Sequence, residues 1–281
     1  MSDTSLDLSG KLPPEIEAVL QQVAGVMVAQ GISFFVVGAL ARDLLLEHVW
    51  HLPPQRATKD VDFGVRLADW QQFAALKNAL CATKEFTTHA QPQRLYHRSG
   101  VTLDLVPFGA IESPPGSIRW PPTDDVRMTT LGFQEAYQCA VEVRFGGEHA
   151  IPVCAPDGLA LLKLIAWDER RERKDASDFG VLTYYYLEVG NEDRLFTEHA
   201  DLLELPDHKL AGAHMLGRDL RRLLNAQTRW LVTSILERET ATNGKYQLIS
   251  SMVAGCRFLD DDVDRALALL EAVALGMGEI H

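Results

Sequence analysis

The chain has 281 residues, and its 27 lysines and arginines against 39 aspartates and glutamates give a formal net charge of −12. With 47% hydrophobic and 23% charged residues, the composition is that of a folded globular protein and excludes disordered, collagen-like and disulfide-scaffold classes. A chain of this length lies where single hydrophobic cores stop growing, so we expect two lobes. The negative charge disfavours general coating of nucleic acid but leaves open a focused contact with one RNA end, or with a cationic small molecule.

The cysteines and the apolar runs bear on the cellular compartment. The four cysteines are far apart and form no CxxC pair, which predicts free thiols rather than zinc ligands or disulfides. No apolar run approaches the roughly 18 residues that a bilayer span needs, and the N-terminus opens with polar residues. We therefore expect no membrane association and a cytoplasmic location.

The first elements alternate between helix and strand. After Pro13-Pro14, residues 15–30 have the apolar spacing of an amphipathic helix, and Ile32–Gly38 is a short apolar run rich in β-branched and aromatic residues, which indicates a buried strand. Helical spacing resumes over Leu40–His48. The prolines in residues 51–58 cannot continue that helix and predict a loop.

Alternating strands follow. Lys59–Val65 alternates charged and apolar residues, as a strand between two different environments does. Residues 67–82 have helical spacing, with Asp69 as a candidate N-terminal cap. Two further strands are expected at Arg94–His97 and Val101–Phe108, the second of them again alternating.

The pattern changes near residue 155. Ile111–Asp125 is rich in proline and glycine and predicts a loop, and Thr129–Val153 is expected to be a second β region. From Pro156 onwards the apolar spacing is helical. We therefore predict an α+β fold, with a mixed β-sheet lobe with flanking helices over residues 1–155 and a helical C-terminal lobe over residues 156–281. The stretches with helical spacing are residues 158–175, 176–189, 209–239 and 262–277.

The strongest chemical signal is the Asp60-Val61-Asp62 pattern on a predicted strand. Residues two apart on a strand point to the same face, so the two carboxylates come together. Like charges this close repel each other, and a cation between them keeps both ionised. Mg²⁺ usually binds through one or two carboxylates plus substrate phosphates. The alternative is an ordinary solvated strand face.

A third acid and a glycine turn give the pattern its context. Asp104 lies between two leucines of the Val101–Phe108 strand, and an acid in an otherwise apolar strand needs a partner. If that strand lies beside Lys59–Val65, three carboxylates converge, as two-metal phosphoryl transfer requires. Gly38-Ala39 joins the preceding strand to a helix, where backbone N–H groups can bind phosphate; the alternative is a glycine that merely permits a tight turn.

The segments VVGALARDLLL, RATKDVDFGV and VTLDLVPF resemble the nucleotidyltransferase superfamily with the DNA-polymerase-beta type of fold. Its members carry a Gly-Ser or Gly-Gly turn, an hDxDh motif and a third aspartate on a later strand. The stretch IPVCAPDGLALLKLIAWDERRERKDASDFGVL is similar to the lysine-to-RKDxxD region of the AbiEii/AbiGii toxin-type nucleotidyltransferases. Together the matched segments span residues 32–183.

The resemblance implies specific roles. Asp60 and Asp62 would be catalytic residues that bind Mg²⁺ or Mn²⁺, with Asp104 as a further catalytic residue and metal ligand, the third acid near the attacking hydroxyl. Lys163 would neutralise phosphate charge during catalysis, while Asp175 matches the acidic position after that lysine. The family often has serine where this chain has alanine after Gly38. The implied nucleotide-binding residues are Gly38, Ala39, Lys163 and Asp175, with Asp178 as the second acid of the motif.

Basic residues near these motifs have two interpretations each. Arg42, Arg56 and Lys59 are candidate phosphate contacts, although they can instead pair with neighbouring acids such as Asp43. Lys163 can contact phosphate or extend along its helix to the surface. Residues 170–174 form the densest basic cluster of the chain, but interleaved acids also allow a salt-bridged solvated helix face.

The function implied by the resemblance is metal-dependent transfer of a nucleoside monophosphate from a nucleoside triphosphate (NTP) to an acceptor hydroxyl, in a cleft between the lobes. The acceptor would be a tRNA or other RNA end, or a protein hydroxyl, with a cognate antitoxin as a possible partner. The alternatives are an aminoglycoside-type small-molecule nucleotidyltransferase, a CCA-adding enzyme and a non-catalytic binding or antitoxin-like module. The sequence lacks the template-reading motifs of CCA-adding enzymes, and Ala39 makes the non-catalytic module plausible.

Overall fold

The computed structural model describes residues 6–53, 60–147, 149–259 and 261–278. The chain divides into two compact units, unit 1 over Met1–Ala155 and unit 2 over Pro156–His281. In the described ranges, no helix is both long enough and apolar enough to cross a membrane.

Unit 1 is built from strands and a few helices. A π-helical turn at Leu44–Val49 extends its second helix. The strands are β1 (Leu6–Asp7), β2 (Ser33–Val37), β3 (Asp60–Arg66), β4 (Phe86–Thr88), β5 (Arg94–His97), β6 (Thr102–Phe108), β7 (Ser117–Arg119), β8 (Arg127–Thr129), β9 (Val141–Arg144) and β10 (Ala150–Val153). The helices are α1 (Pro14–Ala29), α2 (Gly38–Asp43), α3 (Trp70–Ala82) and α4 (Phe133–Gln138).

A mixed sheet organises unit 1, with the strand order β1-β9-β10-β2-β3-β6-β5-β4 among the described residues. Strand β3 lies at the centre, antiparallel to β2 and parallel to β6. Strand β5 continues the sheet antiparallel to β6, and β7 pairs with β8 in a separate two-stranded sheet. The central position of β3 places its two faces in different surroundings.

The alternation of β3 separates an apolar face from a polar one. Val61 and Phe63 are fully buried, whereas Asp60 is exposed at the start of the same strand. Further along the acidic face, Gly64 lies against the ring of Phe35, where a Cβ atom would come within 2.3 Å of the ring. Burying a side chain of this size stabilises a fold by about 1.5–3 kcal/mol, so the glycine makes room for a substantial contribution. The end of this face at Gly64 is therefore packed against Phe35, and the carboxylates of Asp60 and Asp62 lie at the opposite end of the strand.

Most predicted elements of unit 1 are observed, including β5 at Arg94–His97 with the predicted bounds. The Asp69 side chain caps α3 by accepting a hydrogen bond from the Gln72 backbone N–H. Two predictions were wrong in part. The predicted β region over Thr129–Val153 contains helix α4, whose Phe133 ring packs against Phe35 at 6.3 Å between centroids. The predicted loop over Ile111–Asp125 contains strand β7.

Unit 2 is helical among its described residues. A 3₁₀ turn at Ala200–Glu204 and another at Arg257–Leu259 connect its helices. The helices are α5 (Pro156–Arg170), α6 (Arg173–Tyr184), α7 (Glu192–Thr197), α8 (His208–Leu223), α9 (Ala226–Thr240), α10 (Gln247–Val253) and α11 (Val263–Gly278).

Two stretches with continuous helical spacing are each divided into two helices. Residues 158–175 break at Arg171, whose φ of +55° is incompatible with a continuing right-handed helix. Residues 209–239 break at Asn225, whose side-chain oxygen accepts hydrogen bonds from two N–H groups at the start of α9. A capping side chain of this kind typically stabilises a new helix start by about 0.5–2 kcal/mol. Apolar periodicity alone does not reveal such breaks.

Helices α8 and α11 cross at two glycines. A Cβ atom on Gly276 would lie 2.2 Å from the carbonyl oxygen of His214, and one on Gly217 would lie 2.2 Å from the carbonyl oxygen of Val273. Both neighbours are backbone atoms, which cannot move aside as a flexible side chain can. The approach of these helices therefore depends on the absence of side chains at both positions.

A buried polar network fixes α8 against the chain before it. The Asp219 carboxylate accepts hydrogen bonds from the Tyr186 hydroxyl at 2.6 Å and from the Arg194 guanidinium at 2.7 and 2.9 Å. Burial raises the pKa of the Tyr186 hydroxyl, so the hydroxyl keeps its proton and donates it to the carboxylate.

The four cysteines are free, as the sequence predicts. Cys256 packs beneath α6, where its thiol lies 3.3 Å from the Ser177 carbonyl oxygen. Burial raises the pKa of the Cys256 thiol to about 11, which leaves it protonated and unreactive near neutral pH.

We predict that Gly276→Ala destabilises the protein, because its new methyl group collides with the α8 backbone. The expected loss in the free energy of unfolding is about 1–3 kcal/mol, as for other overpacked sites. Gly278→Ala is the matched control on the same helix, since a Cβ there meets nothing within 4 Å. Urea unfolding followed by circular dichroism measures both variants, and equal destabilisation of the two would contradict this account of the crossing.

Candidate functional site

Three aspartates lie on one face of two neighbouring strands of unit 1. In the parallel pair β3 and β6, Asp62 is in register with Asp104, and Asp60 is in register with Thr102. Residues in register on parallel strands point to the same side, as do residues two apart on one strand. Asp62 and Asp104 are half-buried, while Asp60 is exposed. The sheet therefore brings together the three acids named from the sequence.

A glycine turn touches this acidic face. Strand β2 runs antiparallel to β3 with Val37 in register with Asp62, so the chain leaves β2 directly beside the carboxylate. Gly38 has a φ of +74°, and a Cβ on it would lie 2.1 Å from Oδ2 of Asp62. Both the backbone angle and the close approach require glycine here. Ala39 follows and is half-buried. The turn thus places the backbone of Gly38 against an acid of the site, with Ala39 next along the chain.

Sequence reasoning missed Arg94, which binds the third acid. Its Nε and Nη2 atoms donate to the two carboxylate oxygens of Asp104 at 2.8 and 2.6 Å. These hydrogen bonds raise the pKa of the Arg94 guanidinium further above its usual range, with a smaller contribution from the charge of Asp60. The antiparallel register of β5 and β6 pairs Arg94 with Asp104 directly. Counting outward from Ser99, the centre of the hairpin, would have found this cross-strand pair.

The acidic face suits one divalent ion better than a three-carboxylate centre. Carboxylate oxygens are hard ligands, and Asp60 and Asp62 share one strand face. In the ranges that the structure describes, however, no group of three or more His, Cys, Asp or Glu side chains is arranged to hold a metal ion. Both oxygens of Asp104 accept hydrogen bonds from Arg94 instead. Two carboxylates completed by substrate phosphates are still an ordinary Mg²⁺ site, so the donor set fits such an ion.

Of the three basic residues predicted to contact phosphate near the turn, the structure describes only Arg42. Arg42 is 1% exposed, and its Nε donates to Oδ1 of Asp43 at 2.8 Å, so this guanidinium is enclosed in unit 1 and contacts its neighbouring acid. This is the alternative that the sequence left open for Arg42. Lys59 and Arg56 lie outside the described residues, and their predicted phosphate contacts stay predictions.

Lys163 belongs to a buried charge cluster of unit 2. It lies on α5, is 8% exposed, and its Nζ is 2.6 Å from Oδ2 of Asp178 and 3.5 Å from Oδ1 of Asp175. The lysine therefore does not extend to the surface, which was one of its two interpretations. The same Asp175 accepts two hydrogen bonds from Arg170, at 2.6 and 2.7 Å. The four residues of the LLKLIAWDERRERKDASD stretch thus bind one another, and the role of Lys163 and Asp175 at a nucleotide stays a prediction.

Most basic residues of the cluster at residues 170–174 form ion pairs with acids. Besides Arg170, Arg171 pairs with Asp168 at 2.7 Å and Lys174 with Glu172 at 2.7 Å. The Lys174 hydrogen bond lowers the pKa of the Glu172 carboxyl. The structure therefore favours the salt-bridged interpretation of this stretch over a surface of uncompensated positive charge.

Comparisons with known proteins identify the family of this chain. Residues 26–267 match the model of the family described as nucleotidyl transferase AbiEii toxin, type IV TA (toxin–antitoxin) system. No curated protein matches the sequence. Among solved structures, the chain is similar to the antibiotic-resistance factor ANT(2″)-Ia, with 12% identity over 69% of this chain and 97% of that chain, and a TM-score of 0.41.

Two further solved structures have comparable similarity. The lincosamide antibiotic adenylyltransferase LnuA, bound to lincomycin, has 16% identity over 60% of this chain and 95% of that chain, with a TM-score of 0.37. An antigenic nucleotidyltransferase-like protein from Paracoccidioides brasiliensis has 18% identity over 69% of this chain and 91% of that chain, with a TM-score of 0.39. These distant similarities carry no argument about substrate. The family match covers most of the chain, and the protein is therefore a nucleotidyltransferase that belongs to the AbiEii toxin family of type IV toxin–antitoxin systems.

Proposed function

We propose that this nucleotidyltransferase moves a nucleoside monophosphate from an NTP to an acceptor hydroxyl at the acidic face of β3 and β6. One observation carries the proposal: the Gly38 turn approaches the Asp62 carboxylate so closely that no side chain fits between them. Such a turn offers backbone N–H groups to phosphate oxygens beside acids that suit a divalent ion.

Each part of the face has a separate task in this proposal. Asp60 and Asp62 would hold Mg²⁺ or Mn²⁺, and such an ion, when bound, neutralises charge on the transferred phosphate. The backbone of Gly38 and Ala39 would bind triphosphate oxygens, without the hydroxyl that a serine would add. Little covalent chemistry falls to the protein, because positioning and charge neutralisation supply most of the rate enhancement.

Arg94 acts as a positioning residue in this scheme. Its two hydrogen bonds fix the orientation of the Asp104 carboxylate on the acidic face. In the transfer, the acceptor oxygen forms a bond to the α-phosphorus. The bond between the α-phosphorus and the oxygen that bridges to the β-phosphate breaks, and pyrophosphate leaves. The acceptor proton would pass to water or to Asp104, whose oxygens each keep a second lone pair beside the hydrogen bond from Arg94.

The acceptor we propose is an RNA end or a protein hydroxyl, in line with the family. A cationic small molecule of the aminoglycoside type is the second candidate. It is favoured by the net charge of −12 and by the ion pairs that neutralise basic residues of the cluster at residues 170–174. A cognate antitoxin is the proposed regulatory partner. Incubation with each labelled NTP and with total cellular RNA, proteins or small molecules, taken separately, identifies the acceptor.

We predict that Asp62→Asn abolishes transfer without unfolding the protein, because it removes a charged ligand at nearly unchanged shape. The expected loss is at least about 100-fold, since even the supporting partners of metal ligands typically contribute 10–100-fold. Asp125→Asn, on an exposed loop of the same unit, is the control with the same change in charge. Transfer of the α-labelled phosphate measures the rate, and undiminished transfer by Asp62→Asn would remove this carboxylate from the mechanism.

We predict that Gly38→Ala impairs transfer through Asp62, because the new methyl group displaces the carboxylate. The positive φ adds a backbone strain of about 1–3 kcal/mol. Gly31→Ala is a matched control, since Gly31 has a φ of +65° but nothing within 4 Å of its Cβ position. Both variants should lose stability, and only Gly38→Ala should lose transfer. Equal rates in the two variants at a temperature where both are folded would contradict the role of the turn.

We predict that Lys163→Met destabilises unit 2, because it leaves the buried Asp178 carboxylate without its nearest cation. Breaking a buried pair typically costs about 3–5 kcal/mol. Lys174→Met is the control, since its partner Glu172 is exposed and such pairs contribute only about 0–1 kcal/mol. Thermal unfolding measures the structural role. A raised KM for NTP in folded Lys163→Met would support the predicted phosphate contact, whereas an unchanged KM would leave the lysine a purely structural role.

A further inference from the structure

A cavity of about 300 Å³ in unit 2 is lined by arginines where α8 ends and α9 begins. We call these residues, with their side chains, the arginine corner. Its four members are Arg218, Arg221, Arg222 and Arg229.

Carboxylates neutralise only part of the arginine corner. Asp201 binds Arg218 through both carboxylate oxygens, and Asp219 lies 3.4 Å from Arg222. The other two arginines bind neutral carbonyl oxygens. Nη1 of Arg221 donates to Met277 at 2.7 Å, and Nη2 of Arg229 donates to Arg221 and Leu224 at 2.8 and 3.1 Å. Within the described residues, neither Arg221 nor Arg229 has a carboxylate at ion-pair distance.

The carbonyl contacts supply a structural reason for two of these arginines. Cations at the C-terminal end of a helix bind its last carbonyl groups and stabilise it; Arg229 binds carbonyls at the end of α8, and Arg221 binds Met277 near the end of α11. This explains the position of Arg221 and Arg229 but not the convergence of four guanidinium groups on one open cavity. In a chain with a net charge of −12, a cavity lined by four guanidinium groups, of which only Arg218 and Arg222 contact a carboxylate among the described residues, favours an anionic ligand.

An exposed aromatic ring lies beside the arginine corner in the sequence. Trp230 follows Arg229 on the first turns of α9 and is 72% exposed, the largest exposed fraction among the large hydrophobic residues described. Guanidinium groups bind phosphate, and an exposed indole ring stacks on a nucleobase. Phosphate and base occur together in nucleic acid, and bases are available for stacking only in a single strand.

We propose that the arginine corner and Trp230 form a binding site for single-stranded RNA, with backbone phosphates at the arginines and a base on the indole ring. The proposal deepens the proposed function, on which it rests for the choice of RNA among the acceptors. Binding is measured separately from transfer, so that failure of one does not imply failure of the other.

The test uses the full chain and a fluorescein-labelled single-stranded RNA of about 12 nucleotides, a length within the usual range of such sites. Fluorescence anisotropy gives the affinity between about 50 and 200 mM salt, where phosphate contacts have their largest effect. The variants are Arg222→Gln with Arg229→Gln, Arg222→Gln alone, which leaves the carbonyl contacts of α8 intact, and Trp230→Ala. Arg257→Gln is the control, because it removes one exposed arginine of unit 2 elsewhere.

The double variant should bind RNA at least about tenfold more weakly, and its salt dependence should fall by about 0.7 log units per decade for each lost phosphate contact. Trp230→Ala should weaken binding about fivefold or more, as loss of a stacked base does. Arg257→Gln should bind like the unaltered protein, and Arg222→Lys should retain more affinity than Arg222→Gln. Asp62→Asn should bind RNA normally while failing in transfer, which separates this site from the catalytic one.

Three results would overturn the proposal. Equal losses in Arg257→Gln and Arg222→Gln would mean that RNA binding follows overall charge rather than this site. Unaltered binding by the folded double variant would exclude the arginine corner. If inorganic tripolyphosphate stabilises the unaltered protein but not the double variant, and RNA does not bind, the corner is a site for a small polyphosphate instead.

Discussion

The contact between the Gly38 turn and the Asp62 carboxylate is the constraint on which the candidate site depends. It requires β2 to end in register with Asp62, and it requires a residue without a side chain at the first position after the strand. The register in turn follows from β3 lying between β2 and β6 with its apolar residues buried on the opposite face. A slip by one residue would reverse both faces of β3, so burial of Val61 and Phe63 also fixes the acids.

Each unit stabilises its acids with cations of its own. In unit 1, Arg94 holds Asp104 by two hydrogen bonds, and in unit 2, Lys163 and Arg170 contact the buried Asp175. A buried carboxylate without a partner costs several kcal/mol, so Lys163 and Arg170 are needed beside Asp175 whether or not a substrate is present. Residues that a motif associates with phosphate can therefore also hold the fold together, and substitution experiments must measure stability and KM separately.

Some parts of this structure follow from local sequence, and others depend on distant contacts. Alternation predicted β3 and β6 well, because the period of two reflects burial on one face of the sheet. Helix α4 was missed, because its six residues form a short helix where Phe133 packs on Phe35, which lies far earlier in the chain. Arg171 breaks a stretch of uniform helical spacing through its backbone angle, which periodicity does not encode. Arg94 was missed because a charged residue on a short strand gains meaning only from the register of its hairpin.

The distribution of positive charge illustrates the same limit. Sequence density singles out residues 170–174, but interleaved acids bind those cations in the folded chain. At the arginine corner the cations are spread along α8 and α9, and helix geometry, together with the break at Asn225, brings them to one cavity. Residues three and four apart on a helix share a face, so Arg218, Arg221 and Arg222 converge without being a dense run. A ligand interacts with the net positive charge that remains after the arginines and lysines have paired with neighbouring carboxylates. This net charge depends on which side chains the fold brings to ion-pair distance.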